Sequence, residues 1–113
     1  MKNLFIEDET RDYVQIANSY RNISYTLRLF ISGTTARSER AIQNLHRICS
    51  ENFSEVYNIE IIDIFQSPGW GKEAKIVVTP TLIRSLPLPV RRIIGDLSDE
   101  ESVLAGLEIT INN

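Results

Sequence analysis

A period of two first appears in residues 25–32, YTLRLFIS, where Tyr25, Leu27, Leu29 and Ile31 alternate with Thr26, Arg28 and Phe30. A period of two with β-branched and aromatic residues predicts a β-strand. From Ser38 to Phe53 the spacing changes to that of a helix with one apolar stripe, formed by Ala41, Ile42, Leu45, Ile48, Cys49 and Phe53. The isoleucine-rich stretch VYNIEIIDIF, residues 56–65, predicts a second strand. Strand, helix and strand form a βαβ unit, which we expect to be right-handed with parallel strands.

The pattern becomes irregular after Pro68. Gly69-Trp70-Gly71 predicts a turn or irregular stretch, because two glycines around one aromatic disfavour a regular element. We expect Trp70 to fill a core or subunit contact rather than to stack on a ligand. VVTPTLI, residues 77–83, predicts an interrupted strand, since proline cannot donate a ladder hydrogen bond. Leu86-Pro87-Leu88-Pro89 disfavours a helix.

The segment after Val90 carries two conflicting patterns. Ser98 and Glu101 form a capping box, which predicts a helix with an apolar face of Val103, Leu104, Leu107 and Ile111. In the same segment Leu107, Ile109 and Ile111 alternate with Glu108 and Thr110, as in a strand. Natural sequences are usually locally consistent, so this conflict indicates that two structures compete for the segment.

Residues 1–24 form a polar N-terminal extension. Its apolar residues fall at helical spacing and predict one short amphipathic helix; they are Tyr13, Ile16, Ala17 and Tyr20. A helix this short needs a surface to pack on, so we favour a packing arm over a ligand site. The first apolar patch ends at Glu7, which does not fit the apolar core of a signal peptide.

Composition places the chain among ordinary soluble proteins. It has 113 residues, enough for one domain with a single core, with 42% hydrophobic and 24% charged residues and a net charge of -3. That balance does not favour nucleic-acid binding. A single cysteine excludes a disulfide framework and suits a reducing compartment. No apolar run reaches membrane-spanning length, so we expect a cytoplasmic protein without a membrane partner.

Charge is distributed unevenly in the C-terminal region. Residues 72–92 carry five basic residues and one acidic residue, a net of +4, whereas residues 96–108 carry five acidic residues. Two interpretations remain open. These segments form two solvated faces, or they pair between subunits.

Candidate catalytic chemistry is sparse. Cys49 belongs to the apolar stripe near the end of the predicted helix, so we expect a buried thiol rather than a nucleophile. His46 lies on the opposite face and has no second histidine or cysteine to complete a metal site. The sequence shows no phosphate-binding loop, no catalytic carboxylate pair and no metal-ligand spacing. We therefore expect neither an enzyme nor a cofactor.

Five blocks carry a family resemblance, and they occur in the order LRLFISG, YNIEIIDI, KIVVTPTLI, LPLPVRRIIGDLSD and VLAGLEI. From about Tyr25 to about Ile111 the chain resembles the KaiB family, and PTL followed by LPLPVRRIIGDLSD is the specific part. This family is related to thioredoxin-like proteins but is not an oxidoreductase. Residues 33–38, GTTARS, stand where a thioredoxin carries its reactive pair and contain no sulfur. Pro80 is the candidate for the cis-proline of such folds.

The resemblance implies a single α/β domain, KaiB-like and thioredoxin-like, over residues 25–113. The N-terminal βαβ unit is expected to stay fixed. The C-terminal half is expected to adopt either a tetrameric ground state, with the order βαββααβ, or a monomeric thioredoxin-like arrangement. The switch segment implied in this way contains Gly95, Asp96, Ser98 and Glu101.

The resemblance also implies partners. We expect binding to a KaiC-type ATPase, with KaiA-like or SasA-like proteins as further partners, and self-association as a homodimer or homotetramer. The implied partner-contact residues are basic: Arg40, Lys75, Arg84, Arg91 and Arg92. The long extension and the missing acidic tail depart from cyanobacterial members, so both clock and stress-adaptation roles stay open. The alternatives are a thioredoxin-like oxidoreductase using Cys49 and a sensory input domain of a kinase.

Overall fold

A computed structural model of the protein describes residues 24–53 and 56–109. The elements are β1 (Tyr25–Ile31), α1 (Ala36–Asn52), β2 (Tyr57–Asp63), α2 (Pro68–Glu73), β3 (Thr81–Leu86), β4 (Arg91–Ile94) and α3 (Glu100–Gly106). The four strands form one sheet in the order β2-β1-β3-β4. The helix predicted at residues 13–20 lies outside the described residues. Within the described ranges, none of the helices has the length and apolar character needed to cross a membrane.

The predicted βαβ unit is confirmed. β1 and β2 are parallel, with Leu27 opposite Ile59, and α1 connects them. α1 begins two residues before the predicted start, because Thr35 caps it. The Thr35 side chain accepts from the Ser38 backbone N–H at 3.0 Å, and the Ser38 hydroxyl accepts from the Thr35 N–H at 2.9 Å. These reciprocal bonds satisfy two backbone donors at the helix start.

One face of the sheet, called here the first face, packs on α1 and α3. Side-chain alternation places Leu27 and Leu29 on it, and antiparallel pairing places Leu82 opposite Leu29. α1 contributes the apolar stripe expected from its sequence, and α3 contributes Val103, Leu104 and Leu107. The hydrophobic core therefore joins the βαβ unit to the last helix.

The irregular stretch predicted around Trp70 is wrong, since Pro68–Glu73 forms α2. Proline at the first turn suits a helix start. A Cβ on Gly71 would lie 2.8 Å from Ile64 Cγ2, so glycine permits a close approach of this helix to its neighbour. Trp70 is 49% exposed, so the expectation that it fills the core is wrong, whereas a subunit contact stays a prediction. The Arg28 guanidinium lies 5.4 Å from its ring centroid.

The strand predicted within VVTPTLI begins only after the proline, at Thr81. The Thr79–Pro80 peptide bond is cis. Pro80 is buried at the start of β3, and its carbonyl accepts from the Gly95 N–H at 3.0 Å. The prolines of Leu86-Pro87-Leu88-Pro89 lie in a non-helical connection between β3 and β4, as predicted.

The conflict after Val90 is resolved in favour of the helix in this structure. The cap is Asp99, whose carboxylate accepts from the Ser102 N–H at 3.2 Å, so the predicted capping box of Ser98 and Glu101 is wrong. Ser98 is held in a preceding turn, where its N–H donates to Asp96 Oδ1 at 3.1 Å. The chain turns again after α3, and residues 107–109 form no strand. The domain thus has the thioredoxin-like order, and the predicted α/β thioredoxin-like fold class is confirmed.

Candidate protein-binding surface

The oppositely charged segments of the C-terminal region meet within the chain. Arg91 pairs with Glu108 at 2.5 Å, and Arg40 of α1 contacts Asp96 at 3.4 Å. Arg47, which the sequence analysis missed, pairs with Glu100 at 2.7 Å. All of these side chains are partly exposed, so each pair contributes little to stability. Pairing of the two segments between subunits stays a prediction.

Arg84 lies inside the domain, although the sequence suggested a partner contact. Its side chain is on the first face and only 3% of the residue is exposed. The guanidinium donates to the carbonyls of Leu107 and Pro89, while Nε has no hydrogen-bond partner among the described residues. Arg84 therefore ties the end of α3 to the β3–β4 connection. The burial of Arg84 could have been predicted from strand alternation, because Arg84 is two residues from the buried Leu82 and so lies on the same face.

Lys75 and Arg92 are brought together on the opposite side of the sheet, called here the second face. The Arg92 guanidinium donates to the carbonyls of Ala74 and Lys75 at the end of α2. Both residues are exposed. The contact is with the backbone of Lys75; we refer to Lys75 and Arg92, which are 17 residues apart in sequence, as the basic site. Arg40 lies apart from it on α1.

A groove of about 420 Å³ lies on the second face beside this site. It is lined by Arg28, Phe30, Trp70, Glu73, Ala74, Ile83, Ser85 and Arg92. Arg28 stacks on Trp70 and donates through Nε to Glu60 at 2.7 Å. Sequence reasoning missed Arg28, although it alternates with the buried Leu27 and Leu29. We refer to this feature as the second-face groove.

The loop that would carry a redox pair in a thioredoxin has hydroxyl groups instead. Ser32 Oγ and Thr79 Oγ1 are 2.6 Å apart, and the Gly33 N–H donates to Asp63 at 3.0 Å. Cys49 is fully buried in the core, and burial raises the pKa of its thiol to about 12. The thiolate needed for disulfide chemistry is therefore disfavoured. Across residues 24–53 and 56–109, no cluster of three metal-ligating side chains occurs.

The four residues predicted as a switch segment lie between β4 and the first turn of α3. Gly95 has a φ of 124°, a conformation that side chains rarely adopt. The Asp96 carbonyl accepts from the Asn44 side chain at 2.9 Å, which anchors the connection on α1. Hydrogen bonds from Ser98, followed by the contact with Arg40, lower the pKa of Asp96. Glu101 is exposed on the first turn of α3.

Comparison with known proteins identifies the family. The KaiB domain matches residues 28–109. The circadian clock protein KaiB3 of a Synechocystis species is 54% identical over 83 residues, covering 74% of this chain and 81% of that protein. The circadian clock oscillator protein KaiB of Prochlorococcus marinus is 51% identical over 86 residues, covering 76% of this chain and 75% of that protein.

Solved structures show the same fold at lower identity. The N-terminal domain of Synechococcus elongatus SasA has a TM-score of 0.64 at 21% identity, covering 80% of this chain and 89% of that one. Mitochondrial thioredoxin 3 of Saccharomyces cerevisiae has a TM-score of 0.62 at 14% identity, covering 97% and 92%. The KaiB proteins are about half identical to this chain, whereas the SasA domain and the thioredoxin share the fold at 21% and 14% identity. Sequence identity therefore assigns the family. The chain therefore belongs to the KaiB family and is a non-enzymatic member of it.

Proposed function

We propose that the protein is a regulatory interaction module that binds a KaiC-type ATPase, in clock-like or stress-adaptation regulation. Family membership supports a clock-type role, since the similar proteins are named circadian clock proteins. The observation that carries the proposal is the thioredoxin-like arrangement of the C-terminal half, which resembles the SasA N-terminal domain. In this family that arrangement is the one expected to bind the ATPase and to compete with a SasA-like protein.

Exposed basic residues are the proposed contacts. Lys75 and Arg92 supply one site on the second face, and Arg40 supplies a separate charge on α1. Charges at an interface raise the association rate and fix orientation more than they raise affinity. Arg84 and Arg91 act differently in this proposal. Arg84 holds the end of α3 and the β3–β4 connection, and Arg91 pairs with Glu108, so both stabilise the packing of the C-terminal half.

Binding to the ATPase is tested by measuring association kinetics with the purified KaiC-type ATPase from the same organism. Arg40→Glu with Lys75→Glu should slow association by about tenfold or more at low salt. A matched control, Arg37→Glu with Lys72→Glu, changes the net charge equally at neighbouring exposed positions and should have a much smaller effect. Equal effects of both double variants would mean that Arg40 and Lys75 make no specific contact and that only the net charge matters. Absence of parent binding at micromolar concentration would overturn the proposal.

We also propose self-association as a homodimer or homotetramer. The supporting observation is the number of large apolar side chains exposed on one small domain, among them Phe65, Val77, Leu88 and Ile94. Such residues favour association when they form contiguous patches. Light scattering at micromolar protein and low salt should give a dimer or tetramer mass. A monomer mass under those conditions would contradict self-association.

A further inference from the structure

Three loops meet at the end of the sheet where β1 and β2 finish and β3 begins. They are residues 32–35, 64–67 and 76–80. Asp63 joins the first two loops, since its Oδ1 accepts from the Gly33 N–H at 3.0 Å and from the Phe65 N–H at 2.9 Å. The third loop is joined to the first by the hydroxyl groups of Ser32 and Thr79, which are 2.6 Å apart. The three loops therefore form one continuous surface.

These loops contribute no charged side chain to that surface. Their thirteen residues include no Asp, Glu, Lys, Arg or His, whereas the chain average of 24% charged residues corresponds to about three. Three large apolar side chains are exposed on it instead, Phe65 by 72%, Val77 by 94% and Val78 by 40%. Depletion of charge together with exposed apolar side chains is typical of the centre of a protein–protein interface. We refer to the three loops as the uncharged patch.

The lack of charge favours a second copy of the chain as the occupant of the uncharged patch. In a two-fold dimer the same surface lies on both subunits, so a charged patch would repel its own copy. An uncharged apolar patch avoids this repulsion and is complementary to itself. A partner recognised by charge would contact basic residues outside the patch, such as Arg40 and Lys75.

We propose that two copies of the chain associate through the uncharged patch as a two-fold dimer. This inference rests on the self-association proposed above and names its surface. Thirteen residues are fewer than the roughly 20–30 that each partner contributes to a standard interface. The dimer should therefore be weak, with a dissociation constant on the order of micromolar. The patch belongs to the thioredoxin-like arrangement, so this dimer does not need the ground-state order of elements.

Charge substitutions at Val77 test this surface. The side chain is 94% exposed, so its replacement should leave the fold intact. Val77→Asp and Val77→Lys each place like charges across the two-fold contact, and each should raise the dissociation constant by about tenfold or more. An equimolar mixture of the two variants should restore the dimer, because opposite charges then meet. Sedimentation equilibrium at micromolar to submillimolar protein measures these constants.

Leu88→Asp is the matched control. Leu88 is 72% exposed in the β3–β4 connection, at the other end of the sheet, so this variant should keep the dissociation constant of the parent. A parent that stays monomeric at all these concentrations would contradict both the self-association and its surface.

The remaining outcomes would contradict the uncharged patch alone. These are a parent oligomer that the Val77 variants leave unchanged, or one that Leu88→Asp weakens equally. Two weakened variants whose mixture stays monomeric would contradict the two-fold arrangement. An unchanged oligomer with lost binding to the KaiC-type ATPase would assign the patch to that partner.

Discussion

The βαβ unit, residues 25–63, and the C-terminal region, residues 68–109, are held together in different ways. The first unit has two paired seven-residue strands and a 17-residue helix whose buried side is almost entirely apolar. In the second region α2 and α3 have six and seven residues. Helices of that length are not stable alone in water. The C-terminal region therefore depends on contacts made across the domain.

Many of those contacts are single polar interactions between distant parts of the chain. Arg84 holds the carbonyl of Leu107, Arg92 holds that of Ala74, and Asn44 holds that of Asp96. We expect the first unit to stay folded when one of them is removed, because the core of that unit is apolar. We expect the C-terminal region to open locally at a lower free energy than the whole domain unfolds. Such a difference would also let one half of the chain rearrange while the other stays folded.

The largest effect is expected in the first unit. Leu45 is fully buried between α1 and the sheet. Leu45→Ala should lower the free energy of unfolding by about 2–5 kcal/mol, because it leaves a cavity in the core. Urea unfolding followed by circular dichroism measures this change. Val77→Ala, at a residue that is 94% exposed, should stay within about 0.5 kcal/mol of the parent. A similar cost for both variants would mean that Leu45 is not a main packing residue of the first unit.

A smaller and local effect is expected at Arg84. Arg84→Met keeps most of the side-chain volume but leaves the buried carbonyl of Leu107 without this donor. The cost should be about 1–3 kcal/mol, confined to α3 and the β3–β4 connection. Hydrogen exchange should accelerate at the Val103 and Leu107 amides, while amides of β1 stay protected. Arg37→Met, at an exposed position, is the control. Equal acceleration in β1 would show that the two regions open together.

Sequence patterns predicted the first unit well because its side chains alternate with simple periods. The strands, α1 and the burial of Cys49 all followed from spacing of apolar residues. The resemblance to the KaiB family added two possible arrangements of the remainder, of which the thioredoxin-like one is present in the structure. Pattern alone left that region undecided, since residues 107–111 fit both a helix face and a strand.

The errors occurred where tertiary contacts decide the structure. Gly71 favours a turn in isolation but allows α2 to approach Ile64. Ser98 fits a capping box, yet Asp96 holds it in a turn and Asp99 becomes the cap. The basic site on the second face needs Arg92 to meet the end of α2, and 17 residues separate it from Lys75. A contact between residues so far apart in sequence cannot be predicted from a local pattern.

Removal of the Asp99 cap should loosen α3. Asp99→Ala removes the side chain that accepts from the Ser102 N–H and hydroxyl. Hydrogen exchange in α3 should accelerate by about fivefold, as is typical for the loss of an N-cap. Ser98→Ala is the matched control and should leave exchange near the parent rate, because Ser98 is not the cap. Faster exchange in Ser98→Ala than in Asp99→Ala would show that Ser98 is the cap, as the sequence predicted.

The smallest effect is expected from acid. Hydrogen bonds from Ser98 lower the pKa of Asp96, and hydrogen bonds from Ser102 lower that of Asp99, both below the ordinary 3.8. A lowered pKa in the folded state means that the ionised carboxylate stabilises the fold above pH 3.8. That stabilisation is lost only as pH falls through the folded-state pKa. We therefore expect α3 to loosen below pH 3.8 and to stay unchanged between pH 7 and pH 3.8. Asp99 is exposed and Asp96 is partly exposed, hence the effect is small and weakens with salt. Asp96→Asn keeps an oxygen acceptor for the Ser98 N–H without the titrating group, and its α3 exchange should depend less on acid pH. Loosening that begins above pH 3.8, or an identical acid response in the variant, would assign the change to other groups.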